Sequence, residues 1–127
     1  MSENSKDRGD GGDGVGVAGG GGVGGAPKTV VLAQEVEPVE VGPGIVRRRL
    51  TATGYARGWL IDFAPGSEWP VVDVHETEER YYVLSGEVIE GDERHPAGSY
   101  VVFAPGSRHR PRTETGARML GITISAA

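Results

Sequence analysis

The chain contains no cysteine, so its core forms without disulfides and any metal site lacks thiolate ligands. Long apolar runs are missing too. None approaches the roughly 20 residues that a membrane-spanning helix needs, and the N-terminus lacks the apolar stretch of a signal peptide. A cytoplasmic protein without a membrane partner is the expectation. Basic charge is in short supply: the net charge is −5 at pH 7, which excludes the basic face that nucleic-acid phosphates demand. Lysine is scarce beside arginine, 2 against 11, which we read as coding bias and not as function. No window carries the 3.6-residue period of an amphipathic helix.

Glycine is abundant and unevenly placed. Residues 1–27 hold 11 of the 22 glycines, with Gly19-Gly20-Gly21-Gly22 at their centre and little apolar relief. Such a segment cannot bury enough surface to offset the entropy of ordering it, so a disordered tail is expected. A phosphate-binding loop would need a preceding strand, a following helix and a Lys-Ser/Thr pair, and the segment has none of these.

Residues 28–127 are expected to form one domain of about 100 residues, enough for a single small core. Short strand-like runs recur: Thr29–Leu32, Val46–Leu50, Trp59–Phe63, Arg80–Leu84 with Glu87–Glu90, Tyr100–Phe103, His109–Arg112 and Met119–Ser125. Turn residues separate them, among them Gly42-Pro43-Gly44, Pro65-Gly66-Ser67, Gly91-Asp92-Glu93 and Pro105-Gly106-Ser107. Regular short strands with tight turns predict an all-β fold, an antiparallel jelly-roll barrel. Strand parity places Trp59, Ile61, Phe63, Glu79, Tyr81 and Val83 inside, with Asp62 and Arg80 outside.

One stretch joins metal-ligand chemistry to this strand pattern. Asp73 and His75 share a face, Glu79 opens the next row, and His109 offers a further imidazole after a turn. A mixed nitrogen and oxygen set suits one divalent ion such as Fe(II), Mn(II), Ni(II) or Zn(II). Arg108, Arg110 and Arg112 have the parity opposite to His109 and are expected outside, unless a bend at the barrel mouth turns Arg108 toward an anionic substrate. Arg47-Arg48-Arg49 reads as solvated, with at most one inward clamp. Trp59 and Phe63 read as core or as substrate platform, and Trp69 as a cover for the pocket mouth. Tyr81 would donate a proton, orient substrate or satisfy a ligand carboxylate. His95, beside Pro96, reads as a solvated surface histidine.

These residues resemble the cupin superfamily. Its first motif is matched by Gly66, then Asp73-Val74-His75, Glu79, six residues and Gly86. The second is matched by Gly98, Ala104-Pro105-Gly106 and His109, eleven residues after the first. The resemblance runs from Val46 to Ser125, and Ala104 replaces the usual proline. It implies a jelly-roll barrel with metal ligands His75, Glu79 and His109 and with Asp73 where the first motif histidine stands. Asp73 is then a fourth ligand, favouring iron or manganese, or a general base acting on substrate. An empty, structural site is the third reading.

The likeness is nearest to the cupin half of zinc-dependent anti-sigma factors, whose N-terminal zinc-binding half has no counterpart here. The resemblance leaves two functions open. One is a small metal-dependent enzyme acting on a small organic substrate, neutral or anionic, by Lewis-acid or oxygen-dependent chemistry. The other is a non-catalytic sensing domain. The absence of a partner-binding helix favours the enzyme. Small barrels of this family pair through N-terminal strands, so a homodimer through Val30-Val31-Leu32 and Val36 is expected.

Overall fold

The computed structural model describes residues 27–125. The expected glycine-rich tail falls almost wholly on residues 1–26, outside the described residues. The strands are β1 (Val39–Gly42), β2 (Ile45–Ala52), β3 (Ala56–Phe63), β4 (Asp73–Val74), β5 (Glu78–Glu90), β6 (Glu93–Pro96), β7 (Tyr100–Phe103), β8 (Arg108–His109) and β9 (Ala117–Ile124). Every pairing is antiparallel. The larger sheet runs β1-β2-β3-β9-β5-β6, with β7 also on β5, and β4 with β8 forms a small second sheet. The last long strand thus lies between β3 and β5, the crossing that closes a jelly roll. Among the described residues no helix is long and apolar enough to cross a membrane.

Cross-strand register arranges the interior in layers. Trp59 faces Gly121 and Ile61 faces Met119 across β3 and β9, while Tyr81 faces Gly121 and Val83 faces Met119 across β5 and β9. Trp59, Ile61, Phe63, Trp69, Tyr81, Val83 and Met119 are all buried in one core. Asp62 points outward and accepts hydrogen bonds from Arg118 and Arg48.

Alternation along β5 is broken once. An extra residue between Val83 and Ser85 shifts the register against β9, a β-bulge that returns Val88 and Glu90 to the inner face. Gly86, just beyond the bulge, has φ +75°, and a Cβ there would lie 2.0 Å from the Gly116 carbonyl oxygen. No other residue fits that crossing.

Three expected elements differ. Thr29–Leu32 forms no strand; it precedes a single 3₁₀ turn at Ala33–Glu35, and Val30 and Leu32 stay exposed. The first strand is Val39–Gly42 instead, because it finds a partner edge in β2, and β-branched residues make strands only where such an edge exists. The dimer pairing expected through Val30-Val31-Leu32 and Val36 therefore has no strand at those residues. The stretch expected as His109–Arg112 stops at His109, since Pro111 has no N–H for the ladder, and Arg112 makes only isolated bridges to Glu68 and Ile89. Glu93–Pro96, left among turns, pairs with β5 as a hairpin.

Candidate metal centre

Two short strands and one long one bring the donors together. Asp73 and His109 are direct partners in the β4/β8 ladder, so their side chains stand side by side. The backbone of His75 is clamped to the turn before β8, donating to the Ser107 carbonyl at 2.9 Å and accepting from Gly106 N–H at 2.8 Å. Glu79 enters from β5, opposite Thr123 on β9 and Phe103 on β7. Its side chain and that of His75 are 1% and 2% exposed.

The distances favour a common cation. Asp73 Oδ2 lies 3.9 Å from His75 Nδ1 and 3.8 Å from His109 Nε2. Bonds of about 2.1 Å let two donors to one ion stand up to about 4.2 Å apart. Asp73, His75 and His109 each offer a ligand atom, all within 4.8 Å of one another. Glu79 Oε1 sits 2.6 Å from His75 Nδ1, yet without the alignment of a hydrogen bond. His75 Nε2, His109 Nε2 and both Glu79 carboxylate oxygens are buried with no hydrogen-bond partner. Orphaned donors of this kind are costly unless a cation satisfies them. The residues therefore fit a divalent ion.

A hydrogen-bonded chain behind His109 aims its ring. Glu90 takes the Nδ1–H of His109, at 3.0 and 3.2 Å from its two oxygens. That leaves Nε2, once its proton is lost, facing Asp73 with a free lone pair, the arrangement metal-bound imidazoles use. Tyr81 also donates to Glu90, at 2.7 Å, and its oxygen lies 3.0 Å from His95 Nδ1. Burial, with the Glu90 charge added, pushes the Tyr81 phenol far above its ordinary range, so it stays protonated. Burial disfavours the His109 imidazolium, but the Asp73 carboxylate 3.8 Å away and the hydrogen-bonded Glu90 outweigh it and raise the group to about 9. Burial raises the Asp73 carboxyl, and the His109 ring 3.8 Å away pulls it down, to a net position below the usual carboxylate range.

An open cavity of about 210 Å³ adjoins the donors, lined by Arg57, Val74, His75, Glu76, Thr77, Glu79 and Thr123. Asp73, His75, Glu79 and His109 are brought together; the residues expected around the substrate are not. Trp59, Phe63 and Trp69 belong to the core, and Trp69 packs on Phe63 with ring centroids 6.1 Å apart. Phe63 ends β3, about 20 Å along the strand from Arg57 at about 3.3 Å per residue. Trp69 thus seals the apolar end and does not cover the pocket mouth. Arg108 is exposed on β8. Tyr81 does not line the cavity; it works through Glu90.

Other expectations are corrected. Arg47 is half-buried and not simply solvated, its guanidinium 4.2 Å from the Trp59 ring centroid. Arg48 is ion-paired with Asp62. His95 is not a free surface residue either, since its side chain is 15% exposed and bridges Tyr81 and Glu93. Sequence reasoning missed Glu90, Phe103 and Arg57. Glu90 was hidden by the bulge, which reverses parity after Val83. Phe103, whose ring stacks 4.2 Å from His109 and 5.4 Å from His75, shares the strand expected at Tyr100–Phe103. Arg57 extends the inward row Trp59, Ile61, Phe63 by one step.

With this geometry in view, the comparisons with known proteins are specific. The model of the ChrR cupin-like domain matches residues 26–123. The chain belongs to that family, within the cupin superfamily. Comparison with curated protein sequences finds no match. Among solved structures, an RmlC-like cupin from Shewanella frigidimarina is 23% identical with a TM-score of 0.67, over 75% of this chain and 88% of that one. The anti-sigma ChrR, solved in complex with SigE from Rhodobacter sphaeroides, is 24% identical with a TM-score of 0.64; 71% of this chain matches about half, 49%, of that one. The polyketide cyclase RemF from Streptomyces resistomycificus is 19% identical with a TM-score of 0.67, over 78% and 80% of the two chains. At these identities the likeness carries the fold and not the reaction.

Proposed function

We propose that the chain is a metal-dependent enzyme acting on a small organic molecule bound beside the donors. The observation that carries this is the set of buried, partnerless donor atoms on His75, His109 and Glu79, two of which, His75 and Glu79, line an open cavity. A purely structural site would have its polar atoms closed by the protein or would not open to solvent. The cavity, at about 210 Å³, is below the ~300–1,000 Å³ of drug-sized sites, so the substrate is small.

In this reading His75, Glu79 and His109 hold one divalent ion with Asp73, and the ion when bound polarises a substrate oxygen as a Lewis acid or opens coordination positions to oxygen chemistry. Glu90 keeps the His109 tautomer. Asp73, its side chain 12% exposed against 1% for Glu79, does not itself line the cavity, so it exchanges a proton with substrate only if it leaves the ion. Replacement separates its two roles. Asp73→Ala weakens metal binding and Asp73→His restores it if Asp73 is a ligand; if it is a base, Asp73→Ala keeps the metal and turnover falls by about 10²–10⁴-fold.

The test is metal analysis of freshly purified protein, followed by dialysis against Fe(II), Mn(II), Ni(II) or Zn(II) with melting temperature as readout. Stoichiometric metal and a rise in melting temperature are expected; no binding of any of the four overturns the reading. A second reading, a ligand-sensing domain of anti-sigma type, is favoured by the family match. A neighbouring sigma-factor gene would support it, a biosynthetic or catabolic cluster the enzyme. Association into a homodimer belongs to the proposal as well, and light scattering at tens of micromolar protein tests it.

A further inference from the structure

We propose that Arg57 is a carboxylate anchor and that the molecule taken up beside the centre is a small organic acid, its carboxylate on Arg57 and a second oxygen function toward the metal ligands. This rests on the metal reading above and narrows it to a substrate class.

The placement follows from register. Arg57 faces Thr123 across β3 and β9, and Thr123 faces Glu79 across β9 and β5. The three residues therefore form one inward row at the end of the barrel that opens to the cavity, and all three line it. Neighbouring strands lie about 4.8 Å apart, so the backbones of Arg57 and Glu79 are separated by about 10 Å. The two side chains form no ion pair. Arg57 is thus not the counter-charge of Glu79, and the gap between them suits a small molecule.

Arg47 lies over the Trp59 ring and Arg49 has a partner of its own; the partners of the other arginines set Arg57 apart. On the outer surface Arg48 and Arg118 pair with Asp62, Arg80 with Glu78, Arg94 with Glu87 and Glu114, Arg110 with Glu68, and Arg112 with Glu114. Among the described residues Arg108 has no carboxylate partner, and it is exposed, so water serves it. Among the described residues the Arg57 side chain has no hydrogen-bond acceptor, and its Nε is buried. A half-buried guanidinium at the edge of a cavity, its buried Nε without an acceptor, suits a planar anion that takes two parallel hydrogen bonds, which a carboxylate does. Thr123 Oγ1 accepts from Trp59 Nε1 at 3.4 Å, which leaves its own O–H free to donate to the same ligand.

Charge decides the order of events. While the centre is metal-free its carboxylates Asp73, Glu79 and Glu90 outnumber the His109 imidazolium and repel an incoming anion; a divalent cation, displacing that one proton, adds positive charge, and Arg57 supplies the rest that an acid needs. Binding of an acid should therefore require the metal.

The experiment titrates the full-length, Zn(II)-loaded chain calorimetrically with pyruvate, oxalate, malonate and succinate, and with pyruvamide as the neutral counterpart of pyruvate. At least one acid is expected to bind, pyruvamide more weakly than pyruvate, and the metal-free chain not at all. Arg57→Gln should lower the acid's affinity about 10- to 100-fold, the range for a charged hydrogen bond, with pyruvamide unaffected and Arg57→Lys in between. Zinc content, measured on each variant, should stay stoichiometric. The proposal is overturned if no acid binds at millimolar concentration to zinc-loaded protein, if acid and amide bind alike, or if Arg57→Gln binds acid as well as wild type. It is also overturned if Arg57→Gln loses its zinc, because Arg57 would then support the centre. Failure of the wild-type chain to take up zinc would count instead against the metal reading.

Discussion

The two ends of the barrel interior are built from the same strands by the same alternation, yet they do opposite things. At one end Ile61, Phe63, Val83, Met119 and Trp69 close on one another and leave little for water. At the other, the next residues along the same rows are Arg57, Glu79 and Thr123, joined by His75, His109 and Asp73, and the buried polar atoms lack partners. The apolar end supplies stability. The polar end stores unsatisfied donors, and proteins keep such groups where a ligand or ion completes them.

Breaking the comparison at the polar end should have the largest effect. His109→Ala removes a donor that nothing nearby replaces, so stoichiometric metal should be lost, as elemental analysis will show, while the circular-dichroism spectrum stays that of a β-protein. Ile61→Ala, two layers deeper, should do the reverse. It opens a cavity at a fully buried position and should cost about 2–5 kcal/mol of unfolding free energy in urea titration, with metal stoichiometry intact. If either variant shows the other's phenotype, the division between the ends is wrong.

Smaller effects sharpen it. Glu90→Gln keeps the size of the side chain but frees His109 to change tautomer, and metal affinity should fall about 10- to 100-fold with unchanged folding. The pH dependence has a definite sign. In the metal-free chain the His109 imidazolium, raised to about 9, stabilises the fold fully below its ordinary value near 6.5 and ceases to do so as pH rises through about 9. Metal must displace that proton, so apparent zinc affinity should climb about tenfold per pH unit toward pH 9 and then level off. Melting temperatures of loaded and metal-free protein should accordingly diverge between pH 6.5 and 9. A constant difference would mean that His109 is not displaced of its proton by metal.

Much of the architecture was legible in the chain. The parity of Trp59, Ile61, Phe63, Glu79, Tyr81 and Val83 was readable because each lies in an unbroken alternating run, and the structure buries all six. Asp73, His75, Glu79 and His109 stood out by residue type and spacing. Arg57 was within reach of the same reasoning, one step beyond Trp59 on the inner row. Glu90 was not, because a one-residue bulge at Val83/Ser85 inverts inside and outside, and nothing local in Leu84-Ser85-Gly86 announces it. Trp69 was misplaced because a loop residue has no parity; its ring goes where Phe63 leaves room.

The residues by themselves determined that the chain would form strands and not helices, since alternation and turn spacing are local properties read residue by residue. They also determined which side chains were available as metal donors. Only the tertiary structure decided that β9 would pass between β3 and β5, and with it that Arg57, Thr123 and Glu79 would share one row. Register between strands distant in sequence is set by how whole faces pack and by where a bulge shifts the ladder. For that reason His109 met Asp73 and Glu90, while Arg108, one residue away, was left in solvent.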